Sequence, residues 1–347
     1  MALRVISDLK DFHDKTVIVR IDTDVDIKNG KIIDDTRLVS SLETIKYITS
    51  HHGNVILIGH SGRPEGKVNL EYTLKPVAEW FAKEFTGEAK DTSFATFSGW
   101  VITPHISLLE NLRFYKEEEE NDATFAKNLA SLGNIFVNEA FAVSHRKHAS
   151  LYSVSEHLPS YAGFHLQKEV EALSHVLKNP KRPFAILIGG AKLETKLPLV
   201  EKMHKIADFV LVGGKIAEEQ RTLVKVQHEK VEGHKSAILV ADNSESGLDI
   251  TEKDAENFMQ ILQLAKTIVW NGPLGKMGDA KTEENTLKIA KCIAESKAYT
   301  VVGGGDSLSL LKQHSMLSKF SFVSTGGGAM LEFLSGKELP GIKALRE

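Results

Sequence analysis

Short continuous apolar segments alternate along the chain with segments of helical periodicity. In the stretch from Leu38 to Ile48, for example, apolar residues recur at intervals of four, three and three positions, which is typical of an amphipathic helix. The apolar runs themselves are uninterrupted, as in strands that are buried on both faces of a parallel sheet. They include VIVR at 17–20, VILIG at 55–59, IFVNEA at 135–140, FAILIGG at 184–190, TIVWNGP at 267–273 and TVVGGG at 300–305. The pattern predicts an alternating β/α chain.

A charged stretch with two prolines, KNPKRP at 178–183, is the best candidate for a domain boundary. About four strand units precede it and about six follow it. A chain of 347 residues is also longer than a single hydrophobic core usually serves. We therefore predict an α/β fold of two doubly wound domains with parallel sheets, joined by a helix, with a cleft between them facing the carboxyl ends of the strands.

The composition is that of an ordinary globular protein and excludes several classes. With 42% hydrophobic residues, 26% charged residues and a net charge of -3, neither a disordered tail protein nor a nucleic-acid coat fits. The only cysteine, Cys292, allows no intrachain disulfide and no multi-cysteine zinc site, which suits a reducing compartment. No apolar run approaches the ~18 residues of a membrane span, and the N-terminus lacks a signal-peptide pattern. We expect a cytoplasmic protein without nucleic-acid or membrane partners.

Glycines follow the predicted strands of the second half. They occur in Gly189–Gly190, Gly213–Gly214, Asn271–Gly272–Pro273, Gly303–Gly304–Gly305 and Gly326–Gly327–Gly328. Glycine lets the backbone approach a phosphate closely, and the following helix offers unpaired N–H groups. Any single pair could simply form a tight turn, but five such turns favour a nucleotide-phosphate site. Neither the P-loop pattern nor the GxGxxG dinucleotide pattern occurs.

The first half carries arginine at the corresponding places. Only 9 residues of the chain are Arg, yet Arg63, Arg113 and Arg146 each follow a predicted strand and Arg37 opens a helix. Arg makes forked contacts with phosphate and carboxylate groups. Any one of these could be an ordinary surface arginine; the four together, joined by His60 and His145, favour a pocket for a small anionic substrate.

Other chemistries find no matching pattern. There is no GxSxG nucleophile elbow and no HExxH metal spacing, and the acidic run at 117–120 is expected to be a solvated turn rather than a metal site. Phosphoryl transfer needs chiefly positioning and charge neutralisation. Glycine loops and basic residues are sufficient for it.

These motifs, in this order, resemble the phosphoglycerate kinase family over nearly the whole chain. The matching segments are VIVRID (17–22), DDTR (34–37), LKPVAE (74–79), LLENLRF (108–114), HRKHAS (145–150), RPFAILIGGAK (182–192), WNGP (270–273), GGGDS (303–307) and STGGGA (324–329). The resemblance implies two Rossmann-like domains, a 3-phosphoglycerate domain at 1–165 and a nucleotide domain at 183–335. A helix and linker at 166–182 would join them, and a tail at 336–347 would return to the first domain.

The resemblance also implies a reaction and a set of residues. Phosphate would pass reversibly between 1,3-bisphosphoglycerate and ADP, with Mg²⁺ as cofactor, after hinge closure. Independently of the resemblance, the lack of a large apolar surface run favours a monomer. Arg37, Lys192, Gly304 and Gly327 would be catalytic. The substrate would contact Asp22, Asp24, Arg37, His60, Arg63, Arg113 and Arg146. The nucleotide would contact Gly190, Lys192, Lys196, Gly213, Gly214, Asn271, Pro273, Gly278, Gly304, Gly305, Asp306 and Ser307, with Asp306 on the metal.

The chain departs from the family pattern at several places. Asp24 stands where an asparagine is usual, which adds negative charge beside an anionic substrate unless an arginine offsets it. Gly278 replaces the glutamate expected to hold the ribose, and Lys215 and Lys276 are also unusual. We expect weaker or broader nucleotide selectivity. Two alternatives remain at this point: a binding protein that has lost turnover, or a kinase of another small acyl phosphate.

Overall fold

The computed structural model describes residues 3–190, 193–214 and 236–346. Its strands are β1 Thr16–Arg20, β2 Ile27–Lys28, β3 Lys31–Ile32, β4 Asn54–Ile58, β5 Lys90–Phe94, β6 Phe97–Thr103, β7 Ile106–Leu109, β8 Ile135–Asn138, β9 Ser160–Ala162, β10 Phe184–Ile188, β11 Phe209–Val212, β12 Ala237–Val240, β13 Thr267–Asn271, β14 Tyr299–Gly303 and β15 Phe322–Val323. The helices are α1 Thr36–Val39, α2 Leu42–Ser50, α3 Lys75–Glu84, α4 Lys116–Glu119, α5 Ala123–Ala130, α6 Phe164–Lys178, α7 Leu193–Met203, α8 Glu252–Leu264, α9 Glu284–Glu295, α10 Gly305–Gln313, α11 Gly327–Leu334 and α12 Pro340–Lys343.

The chain divides into two compact units. Unit 1 consists of Met1–Glu169 and Glu338–Glu347, and unit 2 is Val170–Lys337. The border between them falls within α6. In unit 1 the C-terminal segment is attached by backbone hydrogen bonds, such as Gly341 N–H to Ser144 O at 2.9 Å.

Unit 1 contains a seven-stranded sheet in the order β5-β6-β7-β4-β1-β8-β9. The strands from β7 to β9 are parallel, whereas β5 and β6 add an antiparallel edge that the apolar pattern does not predict. Strand β5 is mostly exposed, as an edge strand can be, and therefore carries no continuous apolar run. Strands β2 and β3 form a separate hairpin.

Within its described residues, unit 2 contains a sheet of six strands, all parallel, in the order β12-β11-β10-β13-β14-β15. Its central strands β10 and β13 are buried at every position, as the uninterrupted apolar runs predict. The same holds for Val17, Ile18 and Val19 of β1, whose side chains point alternately to both faces of the first sheet. Helices therefore cover both faces of each sheet, and the α/β class is that of the sequence prediction.

The helix predicted from Leu38 to Ile48 is interrupted. It is divided into α1 and α2 at Ser40 and Ser41, whose hydroxyls donate to the carbonyls of Arg37 and Leu38, both at 2.7 Å. Serine hydroxyls compete in this way with helical backbone bonds. Among the described residues, no helix combines the length and apolar character needed to cross a bilayer.

Candidate active-site residues

The predicted substrate residues follow the carboxyl ends of neighbouring strands in unit 1. Asp22 and Asp24 follow β1, His60 and Arg63 follow β4, and Arg146 comes after β8. Because β4, β1 and β8 are adjacent and parallel, the segments after them leave the sheet at one edge. Together with Arg37 and Arg113 these residues form what we call the basic cluster.

Arg37 is held by the two aspartates. Its NH1 nitrogen lies 3.2 Å from Asp22 Oδ2 and donates to the Asp24 carbonyl at 2.8 Å. Asp22 is buried, and burial raises the pKa of its carboxyl, while Arg37 acts in the opposite direction. Asp24 Oδ1 accepts the Gly62 N–H at 2.9 Å, so the unusual aspartate is bound into the loop that follows β4.

Arg113 and Arg146 differ in their surroundings. Arg113 is buried; its NH1 donates to Gly62 O at 2.7 Å and its Nε lies 3.2 Å from Glu119 Oε1. Burial lowers the pKa of Arg146, Arg63 lowers it further, and Asp24 raises it. Arg63 is exposed. The cluster thus contains several cations. Asp22 of the cluster already engages Arg37, and Glu119, which lies outside the cluster, engages Arg113.

His60 is buried and hydrogen-bonded. Its Nδ1 lies 2.9 Å from Arg20 NH2, and its Nε2 lies 4.0 Å from Asp24 Oδ2. Burial holds the pKa of His60 well below its ordinary value, and Arg20, Arg146, His148 and Arg37 act in the same direction. The imidazole is therefore neutral at pH 7.

Sequence reasoning missed three residues beside this cluster. Arg20, Ser150 and Glu118 are all buried and form a continuous hydrogen-bonded chain that ends at His60. The expectation that the run 117–120 is a solvated turn is wrong for Glu118, because the fold buries its carboxylate against Ser150. A signal existed for Arg20 alone, since a charged residue ends the otherwise apolar run VIVR.

In unit 2 the predicted glycines lie close together in the order of the strands that they follow. A Cβ atom on Gly214 would lie 3.0 Å from Gly190 N, one on Gly304 would lie 3.4 Å from Gly272 N, and one on Gly327 would lie 3.2 Å from Gly304 Cα. These five residues form what we call the glycine edge. Because these residues carry no side chains, a phosphate group can approach their backbone closely. Gly190, Gly214, Gly304 and Gly327 are partly exposed, whereas Gly272 is buried.

Two helices begin at the glycine edge. Helix α10 has Gly304 as its N-cap, with φ 102°, and α11 has Gly326. Because glycine has no side chain, neither N-cap residue can accept a hydrogen bond from the first N–H groups of its helix. The first N–H groups of a helix have no intrahelical partner and attract anions. Ser307, which follows the exposed Asp306, is buried, and its Oγ has no hydrogen-bond partner in the described part of the chain.

Lys196 of α7 lies against the backbone of the glycine edge. Its Nζ donates to Gly189 O, lies 3.5 Å from Asn271 O, and would be 2.7 Å from a Cβ on Gly190. Burial lowers the pKa of Lys196 to about 8, and Asp306 partly offsets this effect. Among the described residues Asp306 is the one carboxylate that acts on the pKa of Lys196, so this lysine is suited to an incoming phosphate.

The remaining predicted nucleotide residues vary in position. Lys192 and Lys215 lie outside the described residues. Pro273 lies next to the edge, because its carbonyl would be 3.3 Å from a Cβ on Gly214, whereas Gly213 packs against Leu274. Gly278 has φ 99° with open space around it, and Glu283 accepts its N–H. A carboxylate therefore lies at this turn although residue 278 is not a glutamate.

Comparison with known proteins identifies the family. The sequence model of the phosphoglycerate kinase family matches residues 6–237 and 220–337. The chain belongs to the phosphoglycerate kinase family. The phosphoglycerate kinase of Borreliella afzelii is 36% identical and that of Finegoldia magna 38% identical, and these alignments cover 100% and 98% of both chains, respectively.

Solved phosphoglycerate kinases are also similar to the whole chain. The structure from Coxiella burnetii has 33% identity, a TM-score of 0.80 and covers 99% of each chain. The structure from Pyrococcus horikoshii has 29% identity, a TM-score of 0.79 and covers 99% of this chain and 98% of its own. The family and the Rossmann-like α/β class predicted from the sequence are confirmed.

Proposed function

We propose that the chain is an active phosphoglycerate kinase that transfers a phosphoryl group reversibly between 1,3-bisphosphoglycerate and ADP, giving 3-phosphoglycerate and ATP. The observation that carries the proposal is the full-length match to this family. The chain also carries the basic residues and the glycines to which the sequence analysis assigns the substrate and the nucleotide phosphates. The match favours this enzyme over a binding protein without turnover and over a kinase of another acyl phosphate.

Unit 1 supplies the charges that an anionic substrate requires. We assign 3-phosphoglycerate to the basic cluster, where Asp22 would accept the substrate hydroxyl and the arginines and His60 would bind its anionic ends. Arg37 is half-exposed, so it can leave its Asp22 contact for a phosphoryl group. No general base is required, because a substrate carboxylate is already ionised at pH 7.

Unit 2 supplies the phosphate cradle. We assign the nucleotide phosphates to the glycine edge, with Lys196 and Lys192 as cations and the backbone N–H groups near Gly304 and Gly327 around the moving phosphate. Transfer requires that the two substrates meet, and we propose hinge closure as the step that brings them together and excludes water.

Asp306 fits the role of a magnesium ligand. Mg²⁺ is commonly bound by one or two carboxylates together with substrate phosphates and waters. Asp306 offers one exposed carboxylate in the first turn of α10, and the described residues contain no larger cluster of metal-ligating side chains. When bound, the ion would neutralise nucleotide phosphate charge.

The test is a coupled assay of the purified protein with 3-phosphoglycerate, Mg²⁺ and either ATP or GTP. Turnover that is lost in Asp306→Ala establishes the kinase. If a folded protein shows no turnover with either nucleotide, the proposal fails, and a panel of acyl phosphates then distinguishes another substrate from a pure binding function.

We further propose that the enzyme acts as a monomer in the cytoplasm, where its phosphorylated substrates are retained. Sedimentation velocity at micromolar protein concentration tests the first statement, and a dimeric mass would contradict it. Cell fractionation tests the second.

A further inference from the structure

Arg20 is a cation fully enclosed in unit 1. It ends the interior strand β1 and is 0% exposed, and its side chain makes three hydrogen bonds. Its Nε donates to Ser150 Oγ at 3.0 Å, its NH2 donates to His60 Nδ1 at 2.9 Å, and its NH1 donates to the Ile21 carbonyl. Burial lowers the pKa of Arg20, and Glu118 is the carboxylate that offsets this most strongly. A buried cation of this kind requires such a countercharge.

Glu118 reaches Arg20 through Ser150. Its Oε1 accepts the Ser150 hydroxyl at 2.6 Å, and its Oε2 accepts the Ser150 N–H at 2.9 Å. A serine hydroxyl has a single proton and two lone pairs. Because that proton is donated to Glu118, the oxygen presents a lone pair to the Arg20 Nε–H, and the direction of every bond in the chain is fixed.

The chain determines the tautomer of His60. A guanidinium can only donate hydrogen bonds, so Nδ1 of the neutral imidazole must be the acceptor. The ring proton is therefore on Nε2, the nitrogen on the side of Asp24 in the basic cluster. In the opposite tautomer Nε2 would present a lone pair to the cluster, and this would repel an anion.

We infer that Glu118 is a positioning residue that acts through Ser150 and Arg20 to hold neutral His60 as a hydrogen-bond donor toward the anionic substrate. The identity of that substrate rests on the proposed function, whereas the tautomer can be measured in the free protein. Arg20 and Ser150 are positioning residues in the same hydrogen-bonded chain. The arrangement gives the basic cluster a hydrogen-bond donor for an anion, and this donor carries no net charge.

The tautomer is tested by nuclear magnetic resonance on protein labelled with ¹⁵N-histidine, with the His60 signals assigned by their absence in His60→Gln. In the wild type we expect the Nε2–H tautomer, unchanged between pH 6 and 8. In Glu118→Gln and in Ser150→Ala we expect the Arg20 guanidinium to lose its fixed orientation, so that NH2 no longer always donates to Nδ1 and a mixture of tautomers results. Glu120→Gln is the matched control, because it removes one charge from an exposed residue of the same acidic run, and its His60 signals should equal those of the wild type.

Kinetics provide the second readout. We expect the KM for 3-phosphoglycerate to rise about five- to tenfold in Glu118→Gln and Ser150→Ala, as for the loss of one hydrogen bond, with the KM for ATP and kcat within about twofold of the wild type. Ser150→Ala keeps the Glu118 charge, so it decides the matter even if Glu118→Gln does not fold.

Two results would overturn the inference. One is a His60 that stays wholly in the Nε2–H tautomer in the folded Ser150→Ala protein. The other is a loss of kcat with unchanged KM, which would indicate a general structural defect. A wild type without kinase activity would refute the proposed function instead, and the tautomer measurement would still decide the role of Glu118.

Discussion

Arg37 NH1 lies 3.2 Å from Asp22 Oδ2, so the cation expected to act on the transferring phosphoryl group is paired with a buried carboxylate. Arg37 therefore contributes to stability through Asp22 and, as we propose, to activity through the phosphoryl group, and the two contributions can be measured separately.

Arg37→Ala should lower kcat about 10²- to 10³-fold, because a charge that stabilises the transition state is lost. The free energy of unfolding should fall by only about 1–2 kcal/mol, since Arg37 is half-exposed while Asp22 loses a partner. The double variant Arg37→Ala/Asp22→Asn should recover most of that stability and none of the turnover. Steady-state kinetics and urea unfolding measure the two effects, and unchanged activity in Arg37→Ala would refute the assignment.

Nucleotide binding should weaken above the pKa of Lys196, which burial lowers to about 8. A bound phosphate favours the protonated amine, so binding of MgATP at pH 8.5 should be accompanied by proton uptake. Calorimetry in buffers of different ionisation enthalpy measures this uptake. The Lys196→Gln variant should bind more weakly and lack this component of the uptake; equal proton uptake in both proteins would show that Lys196 does not meet the phosphates.

Two glycines allow the stability cost of close packing at the glycine edge to be separated from the cost of a positive φ angle alone. Gly272 and Gly247 both have positive φ, 90° and 69°, but a Cβ on Gly272 would overlap Gly189 O and Lys196 Nζ, whereas one on Gly247 has no atom within 4 Å. Each alanine should cost about 1 kcal/mol for its conformation. Gly272→Ala should lose at least ~2 kcal/mol more and reduce ATP affinity, as urea unfolding and calorimetry would show. Equal losses in both variants would contradict the proposed close approach.

Glu139 should make stability depend on pH near neutrality. Its buried carboxylate accepts the hydroxyl of Thr44 and the N–H groups of His165 and Leu166 at the start of α6, and burial raises its pKa to about 7. Between about pH 4.5 and 7 the native state retains a proton that the unfolded state has released. The Glu139 contribution to stability therefore falls as pH rises through this window, by about 3 kcal/mol in total.

Buried histidines oppose this trend, so the measurement is a difference. Burial lowers the pKa of both His148 and His165 to about 4. The contribution of these histidines to the free energy of unfolding therefore increases as the pH rises from about 4 to 6.5. Urea unfolding of the wild type and Glu139→Gln from pH 5.5 to 8 should show the variant gaining relative stability as pH rises. Parallel curves would be evidence against a raised pKa for Glu139, and the exposed Glu156→Gln serves as a control.

Nucleotide selectivity should depend on the turn at Gly278. The Glu283 carboxylate accepts the Gly278 N–H, whereas the carboxylate of the neighbouring Asp279 accepts the Lys281 N–H. Glu283 is therefore the acidic side chain bound to the residue at which the family pattern has a glutamate. We expect Glu283→Gln to raise the KM for ATP several-fold and to leave the KM for 3-phosphoglycerate unchanged. We also expect the wild type to discriminate weakly between ATP and GTP, and strict selectivity for ATP would contradict this.

The sequence by itself determined the class of fold and the type of chemistry. Uninterrupted apolar runs, such as that of β10, require burial on both faces, and glycines directly after strands of unit 2 mark places where the backbone must be approached. These are local properties, because the period of the side chains and the allowed φ angles are set by each residue and its immediate neighbours.

Only the tertiary structure decided which groups face each other. The run of four glutamates predicts that Glu118 is exposed to solvent, yet folding places its carboxylate against Ser150, which is 32 positions further along the chain. Arg20 meets His60 because β1 and β4 are neighbours in the sheet, and the antiparallel edge of β5 and β6 is likewise a matter of sheet order. Strand order and buried charge pairs arise from contacts distant in sequence, and the free energy of such contacts depends on the surroundings that the whole unit provides.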